Sequence, residues 1–255
     1  MSAAPVAIVT GGAQGLGAAI AVTLLKKDYK VCVADIKEVE GKGFVDEQQK
    51  IFGTGKIIFS VCDVAKEADY TRTFELTLET FKKVDLLVNN AGIIFEQDPK
   101  TTIDVNLMGP IIGCQMAIKY MGRSNGGDGG IVINTASILG FLPFSKLPAY
   151  CASKHGVIGL TRCYGHPSHY EKEEILFMAL CPSFVKTNIL EDIKSKSLET
   201  GLDVTRRELL SPEYVSEGIL KLLKDKTNGS TLLVTVKKGY QYISYQEEFK
   251  DITLE

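Results

Sequence analysis

Tyr150 and Lys154 are the two side chains that most directly suggest a chemical reaction. They are four residues apart, so on a helix they share one face. A phenol has an ordinary pKa near ~10, and a neighbouring ammonium stabilises its phenolate, so we expect the pKa of Tyr150 to be lowered. Such a phenol exchanges a proton with the oxygen of an alcohol or a ketone. Ser137, after a predicted strand, would hydrogen-bond that oxygen.

A Tyr-x-x-x-Lys spacing alone also occurs in exposed helices. A glycine-rich segment earlier in the chain supports a functional interpretation of Tyr150 and Lys154. The segment reads Thr10-Gly11-Gly12-Ala13-Gln14-Gly15-Leu16-Gly17, between an apolar strand pattern and a helix pattern. Glycines let the backbone approach a pyrophosphate, and the helix that follows offers free N–H groups and the positive end of its dipole. The pattern predicts a dinucleotide site.

Asp35 closes the second predicted strand, at the distance expected for a carboxylate that binds the adenosine ribose. Its negative charge would repel a 2′-phosphate. The nearest basic residues, Lys30 and Lys37, are not where an arginine commonly stacks on that phosphate. These residues favour NAD over NADP. The alternative interpretation of Asp35 is an ordinary aspartate at the end of a strand, with no role in cofactor binding.

Two further segments follow predicted strands. Asp63-Val64 comes after the third strand, and Asn89-Asn90-Ala91-Gly92 ends the fourth. Because ligands of such sheets bind beyond the carboxyl ends of the strands, we expect both segments in the same crevice. For Asp63, a turn or helix-capping role is an equally good interpretation.

The element pattern predicts an α/β fold, a doubly wound parallel sheet of about seven strands flanked by helices, in one domain over residues 1–255. The predicted strands are Val6–Val9, Val31–Ala34, Ile57–Val61, Leu86–Asn89, Ile131–Asn134, Phe177–Cys181 and Thr231–Val236. The predicted helices include Gly17–Lys27, Tyr70–Phe81, Thr102–Tyr120, Ala149–Tyr164 and Pro212–Lys224. A proline is expected to interrupt the chain at Gly165-His166-Pro167, and Glu171–Glu174 is expected to be a solvated loop. The aromatic tail that begins at Gly239 has two interpretations, a cap on the substrate cleft or packing of the C-terminus.

Composition excludes several classes of function. The net charge of −2 offers no basic surface for nucleic acid. No apolar run approaches the ~20 residues of a membrane span, and no signal peptide is apparent. The six cysteines show no paired spacing, which indicates buried, reduced thiols in a cytoplasmic protein. His166 and His169 lack a third ligand nearby, so we expect no metal site.

These motifs together resemble the short-chain dehydrogenase/reductase family over essentially the whole chain. The resemblance rests on T-G-x-x-x-G-x-G, N-N-A-G, Asn106, Ser137, Y-x-x-x-K and a proline-containing loop. Within the family, the segments GGDGGIVINTASILG and YCASKHGVIGLTR are most similar to NAD-linked 15-hydroxyprostaglandin dehydrogenases and insect-type alcohol dehydrogenases.

The resemblance implies specific residue roles. The implied catalytic residues are Asn106, Ser137, Tyr150 and Lys154, with Asn106 holding a water that links Lys154 to solvent. The implied cofactor residues are Gly11, Gln14, Gly15, Leu16, Gly17, Asp35, Ile36, Asp63, Val64, Asn90, Ala91, Gly92, Tyr150, Lys154, Pro182, Val185 and Thr187. A homodimer or homotetramer is also implied, and small residues on the Tyr150 helix would permit its close packing.

Two positions depart from the family pattern. Ser183 replaces the usual glycine after Pro182 and would strain the backbone if φ were positive there. Leu147 replaces the glutamine of prostaglandin-oxidising relatives, which favours a simpler apolar alcohol. We expect Phe141, Leu142, Phe144 and Leu147 to form an apolar pocket wall, with Ser137, Phe144, Leu147 and Tyr150 contacting substrate.

Three functions remain open from the sequence. The leading hypothesis is an NAD-dependent dehydrogenase for an apolar secondary alcohol and its ketone. One alternative is an insect-type alcohol dehydrogenase for small alcohols, and another is a non-catalytic dinucleotide-binding sensor or structural subunit.

Overall fold

The computed structural model describes residues 4–198 and 208–244 of the chain. These residues form one sheet in the order β3-β2-β1-β4-β5-β6-β7-β8. The strands are β1 Val6–Thr10, β2 Lys30–Asp35, β3 Ile57–Val61, β4 Leu86–Asn89, β5 Gly130–Thr135, β6 Ile175–Pro182, β7 Thr231–Thr235 and β8 Gly239–Tyr242. Strands β1 to β7 pair in parallel, and β8 pairs with β7 in antiparallel. The predicted doubly wound α/β fold is confirmed.

Helices connect these strands. The α-helices are α1 Gly15–Leu25, α2 Glu38–Phe52, α3 Glu67–Phe81, α4 Pro99–Ile103, α5 Gly109–Met121, α6 Pro148–Tyr164, α7 Pro167–Glu173, α8 Ile189–Lys196 and α9 Pro212–Asp225. A π-helical turn, Asp104–Met108, joins α4 to α5, and a short 3₁₀ helix, Ile138–Gly140, follows β5.

The central strands are buried on both faces. Along β1, Ala7 and Val9 belong to a core that includes residues of α1 and α9, while Ile8 faces a core that includes residues of α3 and α5. This alternation follows from the two-residue period of a strand. It explains why the first four residues of β1 are all apolar instead of alternately polar and apolar.

Strand order places the crevice for ligands. From β1 the chain continues outward to β2 and β3, and then returns to β4 on the other side of β1. The loops after β1 and β4 therefore separate toward opposite faces of the sheet and leave a cleft beyond the carboxyl ends of these strands.

Several sequence predictions need correction. Strand β8 was not predicted, although Gly239 (φ 60°) closes a short turn from β7 in the manner of a hairpin. The helix predicted over Thr102–Tyr120 is divided by the π turn. Glu173 lies in α7 rather than in a solvated loop, and it is only 2% exposed because its carboxylate accepts a hydrogen bond from Ser124 at 2.6 Å.

Other expectations can be compared directly. The helix that contains Tyr150 ends at Tyr164, and a new helix begins at Pro167, as the proline predicts. Five of the cysteines are buried and all six are free, but Cys163 is exposed. Of the aromatic tail, Tyr240 stacks on Tyr214, whereas residues 245–255 lie outside the described part of the chain. Among the described helices, none has the length and apolar character needed to cross a membrane.

Candidate active site

A cavity of about 460 Å³ lies beyond the carboxyl ends of the strands. Its lining includes residues of the turns after β1, β2, β3 and β4, of the segment after β5, of α6 and of the segment from Pro182 into α8. All the residues predicted to bind cofactor line this cavity. Of the four predicted catalytic residues, Ser137, Tyr150 and Lys154 line it, and Asn106 lies behind it, completely buried.

The glycine turn after β1 depends on the absence of side chains. Gly11 has φ 61°, and a Cβ there would lie 2.8 Å from the Cα of Ala91. A Cβ on Gly17 would lie 2.1 Å from the carbonyl oxygen of Gly11. Gly15, with φ 55°, faces Thr187 across the cavity, where a Cβ would lie 3.3 Å from its methyl group. The turn therefore brings α1 close to the cavity with its first N–H groups free of side-chain caps.

Asp35 ends β2 at the edge of the cavity. Its Oδ2 accepts a hydrogen bond from the N–H of Ala13 at 3.0 Å, and its Oδ1 accepts one from the N–H of Lys37 at 3.0 Å. Each oxygen of a carboxylate has capacity for a further donor, such as a ribose hydroxyl. Ile36 is 63% exposed and lines the cavity beside it, in position to cover a planar base.

Lys37 was set aside in the sequence analysis, yet it lines the cavity. Its Nζ donates to Oε1 of Gln14 at 3.3 Å, and Nδ2 of Asn188 donates to the same oxygen at 3.3 Å. Gln14 thus joins the turn after β2 to the start of α8. The positive charge of Lys37 would attract a 2′-phosphate, whereas the carboxylate of Asp35 would repel it. The expected preference for NAD over NADP is therefore smaller than Asp35 alone would give.

Asp63 makes the turn contacts that its alternative interpretation predicted. Its Oδ1 accepts from the N–H of Ala65 at 3.1 Å, and its Oδ2 lies 3.1 Å from Nζ of Lys66. It also lines the cavity together with Val64. Both interpretations of Asp63 are therefore compatible with its position.

The Asn90-Ala91-Gly92 segment is fixed against the glycine turn. Nδ2 of Asn90 donates to the carbonyl oxygens of Thr10 at 3.0 Å and Gly11 at 3.2 Å. The site of a Cβ on Gly92 lies 3.5 Å from Nζ of Lys154. The segment therefore connects the glycine turn to the residues with proton-transfer chemistry.

Ser137, Tyr150 and Lys154 converge at this point. The side chain of Ser137 interacts with that of Tyr150 and favours its ionised form. Nζ of Lys154 lies 5.6 Å from the centroid of the Tyr150 ring and donates to the carbonyl oxygen of Thr135 at 2.8 Å. All three side chains are at most 9% exposed. The group combines a hydroxyl donor, a phenol and an ammonium around one part of the cavity.

Burial dominates the titration of this group. It raises the pKa of Tyr150 to about 12, although the side chain of Ser137 acts in the opposite direction and favours the phenolate. Burial also lowers the pKa of Lys154 to about 8. The expected lowering of the pKa of Tyr150 is therefore wrong for this structure, because loss of hydration dominates. At neutral pH the phenol of Tyr150 is protonated.

Asn106 occupies the π turn and holds the backbone of the segment after β4. Its Oδ1 accepts from the N–H of Ile93 at 2.8 Å, and its Nδ2 donates to the carbonyl oxygen of Ile93 at 2.8 Å and to Oγ of Ser153 at 3.3 Å. Oγ of Ser153 in turn donates to the carbonyl oxygen of Tyr150 at 2.7 Å. Asn106 is thus connected to the Tyr150 helix through Ser153. The water implied by the family resemblance stays a prediction.

The loop after β6 carries Pro182, Val185 and Thr187 along the cavity. Val185 forms an isolated parallel bridge with Leu210. The described non-glycine residues with positive φ are Asp28, Lys82, Glu174 and Lys226. The φ of Ser183 is therefore not positive, and the backbone strain that a positive φ would cause there is absent. Its N–H donates to the carbonyl oxygen of Val234 at 2.8 Å, which continues the sheet hydrogen bonding.

The apolar wall differs from its prediction. Leu147 is fully buried and lines the cavity, but Phe144 packs against the adjoining apolar cluster outside the lining. Phe141 packs against residues of α6 and β6 instead, and Leu142 is 52% exposed. The chain turns away after the 3₁₀ helix, which carries these side chains from the cavity. The remaining apolar lining includes Ile94, Val105, Leu139, Phe184, Ile189, Leu190 and Ile193.

Sequence reasoning missed two polar features. The buried Oγ1 of Thr135 has no hydrogen-bond partner, although its residue lines the cavity. The carboxylate of Glu96 is buried against the first turn of α6. The position of Thr135, two residues before Ser137, was an available signal. For Glu96 there was none, because its contacts are with residues more than fifty positions away.

The fold and the cavity define a protein of the doubly wound, dinucleotide-binding class. The family described as short chain dehydrogenase matches residues 5–198. The chain is 37% identical over 253 residues to 15-hydroxyprostaglandin dehydrogenase (NAD(+)) of Rattus norvegicus, covering 94% of both proteins. It is 28% identical over 229 residues to Alcohol dehydrogenase 1 of Ceratitis cosyra, covering 88% of both. The chain belongs to the short-chain dehydrogenase family.

A solved structure is also similar. A short chain dehydrogenase/reductase from Burkholderia phymatum, crystallised in complex with NAD, superposes with a TM-score of 0.78 at 26% sequence identity. The match covers 91% of this chain and 89% of the other.

Proposed function

We propose that this protein is an NAD-dependent oxidoreductase that interconverts an apolar secondary alcohol and its ketone, with Tyr150 as the proton donor and acceptor. The observation that carries the proposal is that Ser137, Tyr150 and Lys154 line the same cavity as the glycine turn and Asp35. Proton-transfer and dinucleotide-binding features in one cavity are what hydride transfer to or from an alcohol carbon requires.

The lining residues fit NAD by their chemistry. Asp35 supplies a carboxylate for the ribose diol, and the uncapped start of α1 supplies N–H groups for the pyrophosphate. The unpartnered Oγ1 of Thr135 and the exposed Ile36 offer a polar and an apolar contact, respectively. The dehydrogenase of Rattus norvegicus is an NAD(+) dehydrogenase by name, and the structure from Burkholderia phymatum is a complex with NAD.

NAD, when bound, accepts or supplies the hydride exchanged with the substrate carbon. The protein's own residues handle the substrate oxygen. Ser137 and Tyr150 donate hydrogen bonds to it, and in ketone reduction Tyr150 gives up its proton as the oxygen becomes a hydroxyl. In the reverse direction the minor, phenolate form of Tyr150 accepts that proton. Because the pKa of Tyr150 is about 12, this form becomes more populated as the pH rises. The ammonium of Lys154, 5.6 Å from the ring centroid, favours the phenolate.

The apolar part of the lining supports an apolar substrate. Leu147 stands where the resemblance implies a glutamine in prostaglandin-oxidising relatives, and its side chain offers no hydrogen bond. Among the described side chains, the charged ones that line the cavity are Asp35, Lys37, Asp63 and Lys154. None of these four residues lies in the apolar part of the lining. A carboxylate on the substrate would therefore find no charged partner among the described residues of that part. We therefore propose a substrate simpler than a prostaglandin.

The test is a panel of alcohols offered with NAD(+), followed by the absorbance of NADH. The panel contains 2-propanol, 2-octanol, cyclohexanol, a steroid alcohol and a 15-hydroxyprostaglandin. The proposal predicts the highest kcat/KM for 2-octanol, cyclohexanol or the steroid. A strong preference for 2-propanol would instead support a small-alcohol dehydrogenase, the function named for the Ceratitis cosyra relative. Tight NADH binding without turnover of any alcohol would support a non-catalytic dinucleotide-binding role.

We also propose a homodimer or homotetramer that works in the cytoplasm. Ala152, His155 and Gly159 form an exposed strip of α6, and a Cβ on Gly159 would meet nothing within 4 Å. A helix face of small residues permits the close approach of a second helix.

A further inference from the structure

The first turn of α6, which carries Tyr150, is capped by a side chain from a distant part of the chain. The helix begins at Pro148, and its own N-cap residue, Leu147, makes no side-chain hydrogen bond. Instead, Oε2 of Glu96 accepts from the N–H of Ala149 at 3.0 Å, and Oε1 accepts from the N–H of Tyr150 at 2.9 Å. The first N–H groups of a helix have no partner within it, so a carboxylate there satisfies two of them.

Glu96 is itself held firmly. Its side chain is buried, and its residue is 4% exposed. Its backbone N–H donates to the carbonyl oxygen of Lys196 at the end of α8, at 2.9 Å. The preceding residue, Phe95, accepts from Oγ1 of Thr102 at 2.7 Å. The backbone around Glu96 is therefore held by α4 on one side and α8 on the other. From this fixed position its carboxylate contacts α6.

One of the two bonds ends on the backbone of Tyr150 itself. The position of that N–H determines where the Cα of Tyr150 lies, and the ring direction follows from it. Hydrogen bonds to an ionised acceptor are short and strong, so they define geometry more closely than a neutral cap does. The distance between the Tyr150 hydroxyl and Ser137 depends on that geometry, because Ser137 is anchored separately by accepting from the N–H of Leu139 at 3.1 Å.

We propose that Glu96 is a positioning residue for the reaction, which fixes the first turn of α6 so that the hydroxyl of Tyr150 meets Ser137 and the substrate oxygen. This inference rests on the proposed function of Tyr150. Glu96 does not touch the substrate oxygen in this account. It acts through the backbone of the residue that does.

The inference predicts a specific kinetic pattern. Glu96→Gln keeps the size of the side chain but presents an amide N–H₂ to one of the two backbone donors. Misplacing a reacting group by about 1 Å costs up to ~100-fold in rate, so we expect kcat to fall by about 10- to 100-fold. The side chain of Ser137 lowers the pKa of Tyr150, so moving the two groups apart should shift the limb of the pH–rate profile that reports Tyr150 to higher pH. NADH affinity should stay unchanged.

Glu173→Gln is the matched control. Glu173 is also a buried carboxylate, 2% exposed, and accepts from Oγ of Ser124 at 2.6 Å. It lies in α7, which precedes β6, at the opposite end of the strands from the cavity. The same substitution there should alter thermal stability but leave kcat and the pH profile as in the wild type.

The experiment measures kcat, KM, the pH–rate profile and the NADH Kd of wild type, Glu96→Gln, Glu173→Gln and Tyr150→Phe, with whichever panel alcohol the wild type oxidises fastest. The inference is supported if Glu96→Gln loses kcat and its pH–rate profile moves to higher pH, while Glu173→Gln shows neither change. A wild-type kcat in Glu96→Gln, or equal losses in both glutamine variants, overturns it. Full activity in Tyr150→Phe would instead overturn the proposed function.

A second measurement covers the case in which Glu96→Gln does not fold. In the wild type, the amides of Ala149 and Tyr150 should exchange their hydrogens as slowly as those of the helix interior, although first-turn amides are ordinarily unprotected. Rapid exchange at both amides would contradict the inference.

Discussion

The carboxylate of Asp35 is where charge most directly affects the choice of cofactor. Both of its oxygens accept backbone N–H bonds, so its position at the cavity edge is fixed. Asp35→Asn keeps one acceptor oxygen and removes the charge that repels a 2′-phosphate, while Lys37 remains beside it. We expect the ratio of NADPH Kd to NADH Kd to fall by about 10-fold, equivalent to ~1.4 kcal/mol.

Fluorescence titration with NADH and NADPH measures this ratio. Asp28→Asn is the control, because Asp28 is an exposed aspartate that pairs with Lys56. An unchanged ratio in Asp35→Asn would mean that discrimination lies elsewhere in the cavity.

Lys154 gives a second residue-scale prediction, on stability. Its pKa falls from the ordinary 10.5 to about 8 on burial. Below pH 8 the lysine is charged in both states, so the folded state bears the full cost of burying the charge. Between about pH 8 and 10.5 the unfolded state binds more protons, so folding stability rises with pH. Relative to Lys154→Met, the wild type should gain on the order of 2–3 kcal/mol between pH 7 and 10.5.

Urea unfolding of both proteins at several pH values measures the difference. Taking the difference cancels the other titrating groups and the constant effect of the lost Lys154–Thr135 bond. A difference that stays flat or falls as the pH rises would show that the ammonium is not desolvated.

At this scale the sequence predicted where Tyr150 and Lys154 lie better than it predicted their pKa values. The Tyr150–Lys154 spacing correctly predicts a shared location, since both line one cavity. It does not predict that burial raises the pKa of Tyr150, because the extent of desolvation depends on elements that pack from elsewhere.

At the scale of elements, the turn between β1 and α1 should be intolerant of a side chain. A Cβ on Gly17 would lie 2.1 Å from the oxygen of Gly11 and 2.6 Å from Nδ2 of Asn90. Gly17→Ala should therefore displace the start of α1, weaken NADH binding by about 10-fold and cost ~1–3 kcal/mol of stability. Gly43 offers a matched comparison in α2, because a Cβ there would meet nothing within 4 Å. Gly43→Ala should stabilise the fold by about 0.5–1 kcal/mol.

Thermal unfolding and NADH titration of the two variants check both statements. Equal stability and equal NADH affinity in Gly17→Ala and the wild type would contradict the proposed role of the turn.

The elements themselves were largely predictable. Strands β3 and β4 match their predicted bounds, and each apolar run begins directly after a charged residue, Lys56 or Asp85. The π turn at Asn106 was not predictable from periodicity, since inserting one residue per turn changes the helix only locally. Glu173 was misjudged because its charged neighbours are exposed, whereas its own partner, Ser124, lies 49 residues away.

At the scale of the whole molecule, the exposed strip of α6 is the surface through which we propose that the protein self-associates. Gly159→Arg introduces a large charged side chain into this strip, where the protomer itself leaves open space. We expect the variant to remain folded and to change from the mass of an oligomer to that of a monomer. Light scattering after size-exclusion chromatography measures the mass. An oligomer of unchanged mass would show that this strip is not the interface.

The overall arrangement also sets the limit of what sequence can predict. The glycine turn, Asp35 and the Tyr150 helix lie far apart in the chain, yet strand order alone brings them to one edge of the sheet. The contact of Glu96 with α6 depends on how loops fold over that edge, and no local pattern records it.

The central claim is that Tyr150 transfers the proton in an NAD-dependent reaction, and Tyr150→Phe tests it most directly. The variant keeps the ring and removes only the hydroxyl. The measurement is the rate of NADH formation with saturating NAD(+) and the best panel alcohol, alongside NADH Kd. The account predicts a rate lower by about 10²- to 10⁴-fold with an unchanged Kd. A rate close to that of the wild type would contradict it, because another group would then be exchanging the proton.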